Sequence, residues 1–207
     1  MVYRFVIFWF RVFFHLFYRH RTEWEFDPKK LLGAAIIAPN HVSYLDPPLI
    51  CAAWPKPLHF FARKTLFQKG WLAWLLPRLN THPIEQGNEI ATMRLALSLL
   101  NGGKKVVVFP EGTRSESGQI GPMRSGVAFL SFRSGVPVIP CYIEGTYEAW
   151  PRTEKKLRVK GRKTFCRFGQ PIFPIRPDGT KLSKQEITAL IQTELERLER
   201  AVSRERE

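Results

Sequence analysis

The sequence predicts an α/β fold: a single mixed, largely parallel sheet covered by helices, with an N-terminal hydrophobic, membrane-associated helical segment. Three observations predict it. Short runs of consecutive apolar residues alternate with helical patterns, as expected for strands buried on both faces. A chain of 207 residues, 44% hydrophobic, can bury one sizeable core and is short enough to be one domain. Its opening, MVYRFVIFWFRVFFHLFY, is almost wholly apolar and aromatic, and no repeat, low-complexity tract or linker divides the remainder of the chain. The expected organisation is a membrane-interfacial helical segment over 1–32 and an α/β domain over 33–207.

The opening segment reads as a helix with one polar stripe, because its spacing places Arg11 and His15 within about 20° of Arg4. Spanning a bilayer would leave Arg11 near its middle at a cost of about 2.5–3.5 kcal/mol, so lying in the interface is favoured. The arginines interrupt the apolar run and no small-residue cleavage site is present after it, which argues against a cleaved signal peptide. The stripe, with the RHR at 19–21, is expected to face anionic headgroups.

GAAIIAP at 33–39 predicts a buried strand, and Asp46 before Pro47 predicts a helix start. NEIATMRLALSLLNGG predicts a helix stopped at Gly102 and Gly103. KKVVVFP predicts a second strand, GVAFLSFRSG a helix, and VPVIPCYIEG a third strand whose prolines imply an edge or a bulge. RTEKKLRVKGRKTFCRFGQ predicts two late strands, with Lys156, Arg158 and Lys160 alternating on one face. The last helix begins with a Ser183–Glu186 capping box and carries the stripe Ile187, Leu190, Ile191, Leu195, Leu198 and Val202.

A formal charge of +14 calls for an acidic partner: nucleic acid, an anionic membrane surface or a phosphorylated substrate. Nucleic acid is not expected, because no recognised binding motif accompanies the charge and the aromatics cluster at the N-terminus, away from the basic stretch. Cys51, Cys141 and Cys166 are far apart and odd in number, which fits a reducing compartment without disulfides or a structural zinc.

Two loops carry candidate chemistry. In NHVSYLDPP, His41 and Asp46 can meet only if the chain turns between them. One reading makes Asp46 a helix cap and His41 a loop histidine. The other has Asp46 accept from one imidazole nitrogen so that the other can take a proton. In VVVFPEGTRS, a buried strand opens into a loop at its carboxyl end, where open α/β sheets hold ligands. Arg114 suits a phosphate, and Gly112 permits close backbone approach. The plain alternative is a polar turn with a surface Glu111–Arg114 contact.

NHVSYLDP and FPEGTRS together, with HFFARKTLF between them and GVPVIPCYIEGT after, resemble the 1-acylglycerol-3-phosphate acyltransferase family over residues 33–148. The resemblance implies transfer of an acyl group from a thioester, acyl-CoA or acyl carrier protein, to the hydroxyl of a lysophospholipid, making phosphatidic acid. It implies His41 and Asp46 as the catalytic pair, and Glu111, Gly112, Thr113 and Arg114 as the acceptor-binding loop. No metal and no bound cofactor are implied, the thioester being a co-substrate. Direct attack by the hydroxyl is favoured, since no serine or cysteine nucleophile stands beside His41; amides near Gly112 are candidate oxyanion donors.

The chain departs from the family at HPIEQGN, where relatives often carry an aspartate–arginine pair, and at Arg124, where many have lysine. The expected partners are a lysophospholipid, the acyl donor and an anionic membrane surface. The expected location is monotopic or peripheral at the cytoplasmic face of the inner or cell membrane. The same chemistry on another lysolipid or polar acceptor, and a non-enzymatic basic binding module, stand as rivals.

Overall fold

The structure, a computed structural model, describes residues 1–85, 87–154, 156–159 and 163–204. Its main sheet takes the order β1 (Arg21–Trp24), β7 (Phe165–Phe168), β6 (Val138–Glu144), β2 (Ala35–Pro39), β5 (Lys105–Val107). β2 runs parallel to β5 and β6, β1 runs parallel to β7, and only the β6–β7 pair is antiparallel. A parallel pair, β3 (Phe60–Arg63) and β4 (Thr81–Ile84), extends this sheet beyond β5. The link is His59, whose amide donates to Lys105 O and whose carbonyl accepts from Val107.

Alternation along β2 divides the core in two. Ala35 and Ile37 face a layer formed by α1 (Val2–Tyr18) and α2 (Asp46–Ala53). Ile36 and Ala38 face α4 (Glu89–Asn101), α5 (Gly126–Ser134) and α7 (Lys184–Arg204). The remaining α-helices are α3 (Gly70–Arg78), between β3 and β4, and α6 (Thr146–Ala149), after β6.

Local signals place the second layer. Asn88 caps α4 by accepting from the Ala91 amide, and Gly135 in the left-handed region ends α5. The capping box of α7 forms in both directions: Glu186 accepts from the Ser183 amide and Ser183 Oγ accepts from the Glu186 amide. The stripe of α7 is buried except for Leu190, which is exposed. It lies at the border of the apolar arc, where the sheet no longer covers it.

Two other expectations are corrected, the first in part. β6 is an interior strand and not an edge, and the bulge lies beside Pro140, where the register passes from Cys141–Phe168 to Val138–Ile172 with one extra residue on the β7 side. Pro140 fits there because its missing N–H falls on the β7 side, in the interval between the Val138–Ile172 bridge and the first β7 pair, Cys141–Phe168. Among the described residues the late basic stretch gives one strand, β7, and no strand over 152–154 or 156–159; Lys160 lies outside the described residues. Within residues 1–32, Ile7, Phe14 and Tyr18 are buried in the main core and β1 pairs with β7.

One member of the polar stripe of α1 has a partner within the protein. Arg11 lies against the protein, donating through Nε to Ala52 O at 2.9 Å and through Nη2 to Trp54 O at 3.1 Å, so that it caps the carboxyl end of α2. Arg4, Arg11 and His15 remain exposed, and beside them lies a broad apolar arc in which Phe5, Phe8, Trp9, Leu16 and Phe17 are exposed. His20 is held by Thr22 and Thr164, and Arg21 opens β1. No described helix is long and apolar enough to cross a membrane.

Candidate active site

The site begins where β2 ends. Asn40, buried, clasps β6 by donating to Ile143 O and accepting from the Ile143 amide, which fixes the direction in which the chain leaves the sheet. The loop then turns back, so that His41 Nδ1 lies 2.8 Å from Asp46 Oδ2. A carboxylate in this position accepts, so Nδ1 carries the hydrogen and Nε2 keeps its lone pair. Nε2 has no protein partner among the described residues, and the histidine side chain is 17% exposed against 0% for Asp46. His41 stacks on Phe109 at 3.8 Å between ring centroids.

Asp46 opens α2, yet its side chain does not cap that helix. Oδ2 also accepts from the Val42 and Ser43 amides at 2.7 Å each, and Oδ1 accepts from Thr146 Oγ1 at 2.7 Å. Of the two readings of NHVSYLDPP, the geometry contains the imidazole–carboxylate contact. Thr146 arrives through Gly145, at φ 81°, where a Cβ would stand 2.0 Å from Lys163 O; only glycine lets the chain cross there.

The second loop follows β5 and is tied to the first. Glu111 Oε1 accepts from the His41 amide at 2.8 Å, Oε2 accepts from the Gly121 amide at 3.2 Å, and Ser115 N–H donates to His41 O at 2.8 Å. Burial pushes the Glu111 carboxyl above its ordinary range, while these amide donors work to keep it charged. Glu111 thus holds the histidine loop. Gly112, at φ 72°, lies under the stem of Arg124, whose Cδ would stand 2.9 Å from an added Cβ. The Gly112 amide is spent on Phe109 O in the turn, which removes it as an oxyanion donor.

Arg114 lies flat over the Tyr44 ring, 3.6 Å from its centroid, and its buried Nη1 has no hydrogen-bond partner among the described residues. The adjoining Arg114 guanidinium is the main cause holding the Tyr44 phenol below its ordinary value, with the charges of Arg152 and Lys69 adding to it. Arg152 also reaches Thr113 Oγ1 and Glu116 Oε1, each at 3.4 Å. Three cations therefore surround one side of the site. Among the described residues no group of three His, Cys, Asp or Glu side chains is placed to hold a metal ion.

The structure brings together all six residues singled out in the two loops. Tyr44, Thr146, Arg152 and Lys69 were not singled out by sequence. Tyr44 sits inside the first motif and could have been suspected as an aromatic platform for Arg114. Thr146 carries only the faint signal of lying at the end of the GVPVIPCYIEGT stretch.

A mixed, largely parallel sheet thus places a histidine locked by a carboxylate beside a cationic bay, and comparison with known proteins gives the family. The model of the acyltransferase family matches residues 23–144, and the chain belongs to that family. It is 33% identical over 161 residues to a probable 1-acyl-sn-glycerol-3-phosphate acyltransferase of Mycoplasma pneumoniae, covering 72% of this chain and 59% of that one. It is 27% identical over 139 residues to the 1-acyl-sn-glycerol-3-phosphate acyltransferase of Bacillus subtilis, covering 66% of each. The chain thus spans less than two thirds of the length of these relatives. The crystal structure of PlsC, the 1-acyl-sn-glycerophosphate acyltransferase of Thermotoga maritima, superposes with a TM-score of 0.76 at 24% identity, over 96% of this chain and 80% of that one, and shares its fold.

Proposed function

We propose that the protein transfers a fatty acyl group from a thioester, on coenzyme A or acyl carrier protein, to the free hydroxyl of 1-acylglycerol-3-phosphate, giving phosphatidic acid. The observation that carries this reading is the pairing of a locked His41, its Nε2 open, with an Arg114 whose buried Nη1 lacks a protein partner among the described residues. A buried guanidinium nitrogen of this kind is stabilised by an anionic ligand. The names of the Mycoplasma pneumoniae and Bacillus subtilis relatives support the same acceptor.

The steps follow from the geometry. His41 Nε2 takes the proton of the acceptor hydroxyl as its oxygen attacks the thioester carbonyl carbon, and Asp46 stabilises the imidazolium. The tetrahedral intermediate collapses, the carbon–sulfur bond breaks, and the imidazolium returns the proton to the leaving thiolate. Glu111 and Thr146 hold the histidine loop and the carboxylate in register. Recognition of the phosphate rests on Arg114, Arg152 and Lys69, since in the β3–β4 region Lys64 is paired with Glu85. No metal or bound cofactor has a part in this scheme.

The exposed apolar arc of α1 would lie in the bilayer interface and bring the site to its lipid acceptor. Arg114→Ala is expected to raise the acceptor KM about tenfold to a hundredfold, the loss of a charged hydrogen bond worth roughly 1.5–3 kcal/mol, and to change the donor KM little. An unchanged acceptor KM, or equal turnover of a monoacylglycerol lacking the phosphate, would overturn the assignment.

A further inference from the structure

α3 is the only described helix of eight or more residues in which no residue is buried. It nevertheless carries Trp71, Leu72, Trp74, Leu75 and Leu76 in nine residues. Trp71 and Trp74, three apart and hence on one face, are 71% and 55% exposed. Arg78 continues that face, with its guanidinium 4.3 Å from the Trp74 ring centroid. A soluble surface rarely shows water two neighbouring tryptophans.

The placement of α3 indicates what covers them. The β2–α2–β3 and β3–α3–β4 connections step toward the same end of the sheet, whereas β4–α4–β5 steps back. Parallel crossovers are right-handed, which puts α3 on the side of α2 and α1 and opposite α4. Tyr3 of α1 reaches this region, its hydroxyl accepting from the Leu58 amide just before β3. Exposed Arg63, Lys64, Lys69 and Arg78 flank the helix, and Glu85, paired with Lys64, is the acidic side chain they meet. Tryptophan between basic side chains matches the interfacial region of an anionic bilayer, where the ring spans the apolar–polar boundary.

We propose that α3 is a second membrane-inserting element, with Trp71 and Trp74 seated in the interface of an anionic bilayer on the same side as the apolar arc of α1. The proposal rests on reading that arc as membrane-facing. Lys69, the residue preceding α3, is one of the cations acting on Tyr44, so α3 flanks the cationic bay. α1 and α3 would then hold the protein at two points.

The test uses the full chain, carrying Trp9→Phe so that α1 stays apolar but loses its exposed indole, on vesicles of phosphatidylglycerol and phosphatidylcholine brominated at the upper acyl chain. Quenching of tryptophan fluorescence is expected, and it should disappear when Trp71→Phe and Trp74→Phe are added. Half-buried Trp24 and buried Trp54 report that the fold is intact. Replacing both by serine, in the otherwise unaltered chain, should weaken vesicle partitioning by about tenfold or more and leave turnover of a dispersed short-chain acceptor unchanged. Vesicle-bound protein with equal quenching in both backgrounds would overturn the proposal while leaving α1 as the anchor. Protein that does not sediment with vesicles at all would overturn the reading of α1 and this proposal with it. A dimer in vesicle-free solution, abolished by the serine pair, would make the occupant a second copy and overturn it too.

Discussion

On one side of the sheet, α7 turns Ile187, Ile191, Leu195, Leu198 and Val202 inward and leaves an outer face rich in charge. On the other, α1 turns Ile7, Phe14 and Tyr18 inward and still leaves Phe5, Phe8, Trp9, Leu16 and Phe17 exposed. Both helices are amphipathic in the sense that each has an inner stripe, but the outside of α7 is polar, whereas that of α1 shows a broad apolar arc beside Arg4, Arg11 and His15. An inward stripe is a statement about the fold; the outer face says what surrounds the molecule. Here it distinguishes a side built for water from one built for an apolar neighbour.

The largest expected effect tests this contrast directly. Leu195→Ala should lower stability in urea by about 2–5 kcal/mol, through lost burial and a cavity, and leave vesicle partitioning unchanged. Leu16→Ser should do the reverse, changing stability by less than about 0.5 kcal/mol and weakening partitioning. Equal destabilisation by the two would mean that Leu16 is packed in solution and that the contrast is false.

A smaller effect probes how firmly α1 is joined to the sheet. Burial lowers the His20 pKa from 6.5 to about 4, with its contact to the Thr164 carbonyl opposing the shift. Neutral His20 is the form that the fold accepts, so its contribution is complete above about pH 6.5 and is lost as pH falls toward 4. The loss is on the order of 3 kcal/mol. His20→Gln, which keeps every carboxylate, should have a flatter stability profile between those pH values; a profile parallel to the parent would show that His20 is solvated. The smallest effect concerns Arg11, whose two donors cap α2: Arg11→Ala should cost about 1 kcal/mol in thermal or urea unfolding. No loss would mean that the Ala52 and Trp54 carbonyls are satisfied by water and not by Arg11.

The sequence made the packed side legible because caps and period are local properties. Asn88, Gly135 and the Ser183–Glu186 box act within four residues of where they are written. The seat of Arg11 was not legible: it is satisfied by carbonyls of Ala52 and Trp54, and nothing near Arg11 announces them. Pro140 left an edge and a bulge open for a similar reason, since the choice between them depends on the partner strand. In the site, His41 and Asp46 were readable because their loop closes on itself over five residues. Thr146, a hundred residues from Asp46, and Arg152 beside Thr113 depend on the crossing at Gly145 and could be found only in three dimensions.

The central claim is that His41 serves as the base for acyl transfer to lysophosphatidate. It is tested most directly by phosphatidic acid formation from lysophosphatidate and an acyl thioester, measured for the parent and for His41→Ala shown to be folded. The account predicts that the parent forms the product and that His41→Ala loses about 10²–10⁴ in kcat, with acceptor KM nearly unchanged. Near-parental turnover by folded His41→Ala would contradict it.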